Sequence, residues 1–223
     1  LNMKRENPFL KEIQSFVAKI EMPGIYNSLS QILLKITAPG VPDFYQGTEL
    51  WGFNLVDPDN RRPVDFTQRR ERLDNLLAKT RHGTEAVVAG LIASWPDPDV
   101  KLWITSRTLA QRRNWPDVFC FGDYVPLSSS GTAADHVLAF ARHFGGQCAV
   151  TAVPRHFHSL AVRQHNGKHG MPRADWKDTR LGLPDEFKGP WRDVLTGRLH
   201  EPQHEEGQAW LEVKNLFAQF PVA

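Results

Sequence analysis

Residues 38–66 read APGVPDFYQGTELWGFNLVDPDNRRPVDF. This stretch opens with a Pro-Gly break and crosses a short apolar and aromatic segment carrying Val41, Phe44 and Tyr45. It then widens into a long polar loop holding Gln46, Glu49, Asp57, Asp59, Asn60, Arg61 and Arg62, and turns helical again at Asp65. Polar crowding at the exit of one short buried strand is the pattern of a site on the C-terminal rim of a barrel strand.

Upstream, Asn7-Pro8 pairs a capping residue with a proline in the first turn, a helix start. Phe9, Leu10, Ile13, Phe16, Val17 and Ile20 recur at helical spacing until Pro23-Gly24 stops the pattern. Ser28 with Gln31 reads as a capping box, so a second helix with Leu29, Ile32, Leu33 and Ile36 on its apolar face is expected to feed the central stretch. A helix leading straight into a short strand is one step of an alternating barrel, too little to close one.

Downstream, Asp65 with Gln68 starts a helix with Leu73, Leu76 and Leu77 on one side and Arg69–Arg72 on a solvated face. Another helix starts at Gly83-Thr84, with Val87, Val88, Leu91 and Ile92 inward, and ends at Trp95-Pro96. Residues 98–114 are expected to be helical, with Leu102, Trp103, Ile104 and Leu109 buried, until Trp115-Pro116 breaks them. The period then changes. Residues 137–142 alternate, Gly145-Gly146 separates them from a second β-rich run at 148–153, and a hairpin with a loop of four residues is expected. Short runs at 191–195 and 210–213 add strands, whereas 165–190 reads as long loops with little regular structure.

The fold class expected is therefore α+β. A helical part containing the last strand-helix step of a (β/α)8 barrel precedes a C-terminal antiparallel β-sandwich. The divisions are 1–80 for the end of the barrel (helices, strand and rim loop), 81–117 for a helical insertion, and 118–223 for the sandwich. The join falls near 116–131, where Pro116, Pro126 and the Ser128–Gly131 run lie.

Composition bounds the function. A chain of 223 residues with 41% hydrophobic and 23% charged residues is ordinary for a globular domain. A net charge of +2 argues for neither nucleic acid nor an anionic membrane. The apolar runs fall short of the roughly 20 residues a membrane span needs, and no leader pattern opens the chain, so the cytoplasm is the expected compartment. Cys120 and Cys148 are expected to be reduced and buried. Opening on Leu1 rather than Met suits a fragment.

Glycosidic chemistry by retention needs two carboxyl groups roughly 5 Å apart, and the stretch offers Asp43, Glu49, Asp57, Asp59 and Asp65. Asp43 falls within the strand and Asp65 is explained as a helix cap. Asp57-Pro58-Asp59-Asn60 admits both an Asx-type turn and a substrate contact. Arg61 and Arg62 suit sugar hydroxyls or a clamp on the loop's own acids. Trp51 and Phe53 suit a glucose face or the core beneath the loop. His156-Phe157-His158, with His165 and His169 nearby, lacks the fourth ligand of a familiar zinc spacing, so no metal is expected. Nothing resembles a phosphate loop or a nucleotide fingerprint.

Pro39–Glu49 resembles the eighth barrel strand of the alpha-amylase superfamily of glycoside hydrolases. Extended through Leu50-Trp51 and Val56–Asp65, the run resembles one branch, the maltooligosyl trehalose synthases. Val100–Thr105, Trp191–Arg198 and Phe220–Ala223 are similar to the same family's C-terminal end. The resemblance implies only about the last third of such an enzyme. It implies intramolecular transfer that turns the reducing-end α-1,4 bond of a malto-oligosaccharide into an α,α-1,1 bond, without a cofactor. The superfamily's catalytic carboxylates lie on earlier strands, so it places none in this chain and implies an absent N-terminal barrel segment as partner. Substrate-binding residues on this resemblance are Tyr45, Gln46, Glu49, Trp51, Asp57, Asp59, Asn60, Arg61 and Arg62. The rival is a non-catalytic glucan-binding or structural module.

Overall fold

The structure, a computed structural model, describes residues 7–160, 174–184, 186, 187 and 189–223. It is α+β, with helices followed by antiparallel sheets. One 30-residue helix, α1 (Pro8–Thr37), replaces the two expected. Asn7 caps it, its Oδ1 accepting from the Leu10 N–H at 3.3 Å. Pro23 lies inside the helix, and Ser28 is a mid-helix residue rather than a cap. Proline in a helix interior forfeits a hydrogen bond and costs about 3 kcal/mol. The second half offsets that cost by burying Tyr26, Leu29, Ile32, Leu33 and Ile36, at about 2 kcal/mol per large apolar side chain. Residues 11–21, by contrast, are exposed on every side.

The C-terminus of α1 is held by two arginines from distant elements. Arg112 donates to the carbonyl oxygens of Ile36 (2.7 Å) and Gly40 (2.5 Å). Arg142, 2% exposed, donates to Thr37 (3.3 Å), Gly122 (2.8 Å) and Asp123 (3.3 Å) oxygens. Cations at a helix C-terminus satisfy orphan carbonyls and oppose the helix dipole. Burial, followed by the Arg112 charge, lowers the Arg142 pKa.

Four further helices follow: α2 (Phe66–Lys79), α3 (Thr84–Ala93), α4 (Asp99–Asn114) and α5 (Pro116–Cys120). Asp65 caps α2 as expected, accepting from the Gln68 N–H at 2.8 Å. Helix α4 is the central member. Val100, Trp103 and Ile104 are fully buried, and the Trp103 indole donates to the Leu195 carbonyl at 3.0 Å. Val41–Tyr45, expected as a short strand, joins no sheet. A parallel strand exists only beside neighbours, and Val41 is 94% exposed.

The sheets are built from β1 (Asp123–Pro126), β2 (Ser129–Ser130), β3 (Val137–Phe144), β4 (Gln147–Pro154), β5 (Arg180–Gly182), β6 (Trp191–Arg192), β7 (Leu199–His200), β8 (Gln203–Glu205) and β9 (Gln208–Glu212). They assemble as β1-β3-β4, β2-β5-β9-β8 and the pair β6-β7. The β3-β4 loop has two residues, not four. Phe144 pairs with Gln147, leaving Gly145 and Gly146 at φ 55° and 81°, which a primed two-residue turn requires. Strand β5 corrects the loop expected over 165–190: three residues are too short to show alternation, yet Leu181 is fully buried. Residues 165–173, 185 and 188 of that stretch lie outside the described residues. Alternation is also incomplete in β3, where Phe140 and Arg142 are buried along with Ala139 and Ala141. Helices α1 and α5 pack on the hairpin.

A turn of helix, α6 (Phe157–Leu160), follows β4, and another, α7 (Val213–Leu216), follows β9. One apolar cluster joins the helices to Val153, Phe157, Leu195, Phe220 and Val222. A second lies between the sheets and includes Ala139, Ala152, Leu181 and Leu211. Ala223 and Ala152 exchange backbone hydrogen bonds at 2.7 and 3.0 Å, so sheet and helices share one framework. Both cysteines are free, and Cys120 is exposed rather than buried. Burial, followed by Glu186, pushes the Cys148 thiol up to about 12.

Two outcomes follow from these contacts. Arg142→Ala strands three carbonyls behind a cavity and should lower unfolding free energy by about 3 kcal/mol in urea melts; an unchanged midpoint would refute its role. His200 is 9% exposed, and burial lowers its pKa, against Asp193 and together with Arg198. A lowered pKa means stability present above the usual 6.5 and lost as pH falls below it. The pH slope of stability between about 6.5 and 5 should therefore shrink in His200→Phe.

Candidate functional site

The long loop between α1 and α2 is the candidate site, and anchors along its length determine its course. At its entry, Arg112 holds Gly40, and the Lys35 ammonium lies over the Phe44 ring, 4.3 Å from its centroid. Thr48 closes a turn by donating from Oγ1 to the Tyr45 oxygen at 2.7 Å. Next comes Arg69, on the first turns of α2. Its Nε donates to Glu49 Oε2 (3.0 Å), and its two terminal nitrogens donate to the oxygens of Asp65 (3.0 Å) and Gly47 (2.8 Å). Gly47, at φ 87°, is pressed between this guanidinium and Val64.

Leu50 and Trp51 are tied to the helical core. The Lys101 ammonium, 8% exposed, donates to the Leu50 oxygen at 3.2 Å and sits 5.6 Å from the Trp51 centroid. Burial lowers the Lys101 pKa, followed by the nearby Lys35 charge and opposed by Glu49. The Trp51 indole N–H is spent on the Pro96 oxygen at 2.9 Å. Trp51 is thus packed partly buried against the helical core, whereas Phe53 is 92% exposed and lies outside that core.

At the tip, Arg61 Nε pairs with Asp57 at 2.5 Å, and Arg62 pairs with Asp59. Asp59 also accepts from the Leu55 N–H at 2.7 Å, and residues 59–61 form a 3₁₀ turn. The two arginines hold the loop's own acids, the clamp that their spacing suggests. Asn60 Oδ1 is buried with no partner among the described residues. Tyr45 and Gln46 are exposed on the outer surface.

The nine sequence-derived site residues thus share one loop but not one cluster. Glu49 and Trp51 face the helices, Asp57 and Asp59 pair with Arg61 and Arg62 at the tip beside Asn60, and Tyr45 with Gln46 stands apart from both. Arg69 and Arg72, expected on a solvated face, are corrected to anchors. Arg72 Nη1 bridges Asp97 (3.0 Å) and Asp99 (2.6 Å), and the Asp99 hydrogen bond, foremost, raises its pKa. Their i, i+3 spacing on one helix face was the available signal. Lys101 and Arg112 carried none, because their partners lie 51 and 72 residues away. No three His, Cys, Asp or Glu side chains converge with metal-ligand geometry among the described residues. His156 precedes α6 and His158 lies within it, and His165 and His169 lie outside the described residues.

No family model matches the chain. Proteins named maltooligosyl trehalose synthase from Mycobacterium tuberculosis strains CDC 1551 and H37Rv are 36% identical to it over 225 aligned residues. That alignment covers 100% of this chain and 23% of theirs. The chain is homologous to part of maltooligosyl trehalose synthase. Solved structures agree. Maltooligosyltrehalose synthase from Arthrobacter ramosus superposes with a TM-score of 0.73 at 32% identity, covering 98% of this chain and 24% of that one. A point mutant of the same Arthrobacter enzyme gives 0.71 at 33% identity, with the same coverage. The chain spans about a quarter of each relative's length, and a C-terminal portion of such a synthase fits these matches.

The anchors rank by burial. Arg69 and Glu49 side chains are 18% and 27% exposed, whereas Arg61 and Asp57 are 71% and 54% exposed. Arg69→Ala should cost about 1–2 kcal/mol and speed amide exchange across residues 47–65 by about tenfold. Arg69→Lys should restore only part of this, because an ammonium cannot reproduce the fork. Arg61→Ala should stay within about 0.5 kcal/mol of wild type. Equal losses for the Arg61 and Arg69 truncations would overturn the ranking.

Proposed function

We propose that this chain supplies the C-terminal portion of a maltooligosyl trehalose synthase. That enzyme would convert the reducing-end α-1,4 bond of a malto-oligosaccharide into an α,α-1,1 bond by intramolecular transglycosylation, in the cytoplasm and without a cofactor. The observation that carries this reading is homology along the whole chain at 36% identity. Residues 1–80 would complete the end of a barrel, 81–117 form a helical insertion, and 118–223 form a sandwich bracing both. The loop at 45–62 would sit on the barrel rim beside the reducing-end glucose.

On this reading the chain alone is inactive. A retaining mechanism needs one carboxylate nucleophile and one protonated acid flanking the same bond, and the acid needs an environment that raises its pKa. Four of the stretch's five acids have other partners: Asp57 with Arg61, Asp59 with Arg62, Glu49 with Arg69, and Asp65 with the start of α2. Exposed apolar side chains further support a missing partner segment. Phe9, Ile13, Phe16, Val17 and Ile20 are 42–58% exposed along one stripe of α1, and Leu55 and Val56 are more than 80% exposed at the loop tip.

The test is an assay for non-reducing product from maltopentaose. The purified chain should give none, and co-expression with the remaining three quarters of the enzyme should restore turnover. Activity of the chain alone within about tenfold of a typical 10 per second would sink this reading. In the assembled enzyme, Arg62→Ala should lower kcat more than it raises KM, because a loosened rim forfeits orientation.

A further inference from the structure

A cleft of about 360 Å³ lies in the seam between the two larger sheets, built by β1, β3, β5 and β9 and by the segments after β1 and β5. It takes no residue from the 38–66 loop. Its titratable lining is one histidine and one carboxylate, His143 and Glu186, with His143 Nε2 3.7 Å from Glu186 Oε2. The other described residues lining it are uncharged, so it offers a phosphate or carboxylate ligand no fixed cation.

What it offers instead is a graded set of hydrogen-bonding groups over an apolar floor. The Ser128 hydroxyl both donates and accepts. Gln208 donates from Nε2 to the Leu183 oxygen at 2.6 Å and the Ala209 oxygen at 3.3 Å, which fixes the amide and leaves its Oε1 as an acceptor. The Glu186 carboxylate stands at the mouth, its side chain 73% exposed. His143 Nδ1 is buried with no partner among the described residues. Leu183 and the prolines on either side of the cleft supply C–H surface.

Gly182 keeps the floor low. A Cβ there would lie 3.2 Å from Ser128 Oγ and 3.4 Å from the Trp210 ring, and would rise into the seam. A cleft of several hundred Å³ with convergent polar groups and an apolar wall has the make-up of a small-molecule site. Mixed donors and acceptors without a cation select a neutral polyhydroxylated ligand. Sugars present hydroxyl edges to such groups and C–H faces to such floors.

We propose that this cleft binds the end of a malto-oligosaccharide, as a second carbohydrate site separate from the rim loop. The choice of an α-glucan among neutral polyols rests on the synthase reading above. Glu186 accepts from adjacent hydroxyls of one glucose ring, Ser128 and Gln208 bond its other edge, and Leu183 packs against its face. The site holds a chain without cleaving it, since one carboxylate cannot serve as both nucleophile and acid.

Titration of the ¹⁵N-labelled chain with maltotriose tests this by NMR. The amides of Ser128, His143, Gly182 and Leu183 should shift and saturate, with a Kd on the order of 1 mM. Glu186→Gln and Ser128→Phe, both at exposed positions, should each weaken binding at least tenfold, while Arg62→Ala leaves it unchanged. No saturable shift, shifts confined to residues 45–62, indifference to both cleft variants, or an equal response to cellotriose or sorbitol would each overturn the proposal. Failure of the assembled enzyme to make a non-reducing product would sink the synthase reading and leave this titration unaffected.

Discussion

The C-terminus of α1 is the point on which the architecture depends. Its last carbonyls would otherwise face a junction between helices and sheet, where an unpaired backbone oxygen costs about 1–3 kcal/mol. Arg112 comes to it from α4 and Arg142 from β3, and between them they take the oxygens of Ile36, Thr37 and Gly40. Either residue alone would fix one neighbour. Together they lock the helix, the hairpin and the start of the long loop into one relative placement. Burying a guanidinium such as Arg142 is expensive unless its donors are used, and here three backbone oxygens use them. The hydrogen bonds that compensate the buried charge also satisfy the helix end.

From that fixed origin the loop's rigidity is graded along its length. Near α2, Arg69 is mostly withdrawn from water and its fork spans two backbone oxygens and a carboxylate. At the tip, Arg61 and Arg62 reach acids four and three residues back, with both guanidinium groups largely in solvent. Exposed pairs of this kind contribute a few tenths of a kcal/mol, enough to bias a turn and too little to immobilise it. The base is thus set by buried geometry and the tip by local charge.

What the sequence disclosed and what it concealed divide along range. The Asp65 cap, the α4 core face and the Gly-Gly hairpin are local patterns, each written within a few residues. So was the pairing of Asp57–Asn60 with Arg61 and Arg62. The break expected at Pro23-Gly24 was not realised, because burial downstream outweighed a local penalty. The strand expected at 41–45 needs neighbours that this chain does not provide. Arg69, Arg112, Lys101 and Arg142 look like surface charges in sequence, since most of their partners are backbone oxygens 19 to 105 residues away. A carbonyl leaves no trace in residue identity, so no composition or spacing argument reaches such contacts.

The first half of α1 shows how order is borrowed. Residues 9–21 bury almost nothing, and an isolated helix of that length is marginal in water because its nucleus is costly. Here the nucleus already exists: the packed half beyond Pro23 fixes the axis, and Asn7 caps the far end. The exposed half spans about 20 Å at 1.5 Å per residue and presents Phe9, Ile13, Phe16, Val17 and Ile20 at helical intervals. Pro23 removes one rung between the halves, so the packed half holds while the arm retains some freedom of angle. An apolar stripe on a pre-formed but adjustable helix loses little conformational entropy on docking, which favours association at a modest buried area. The same residues that add little to the stability of this chain are therefore the ones best prepared for association.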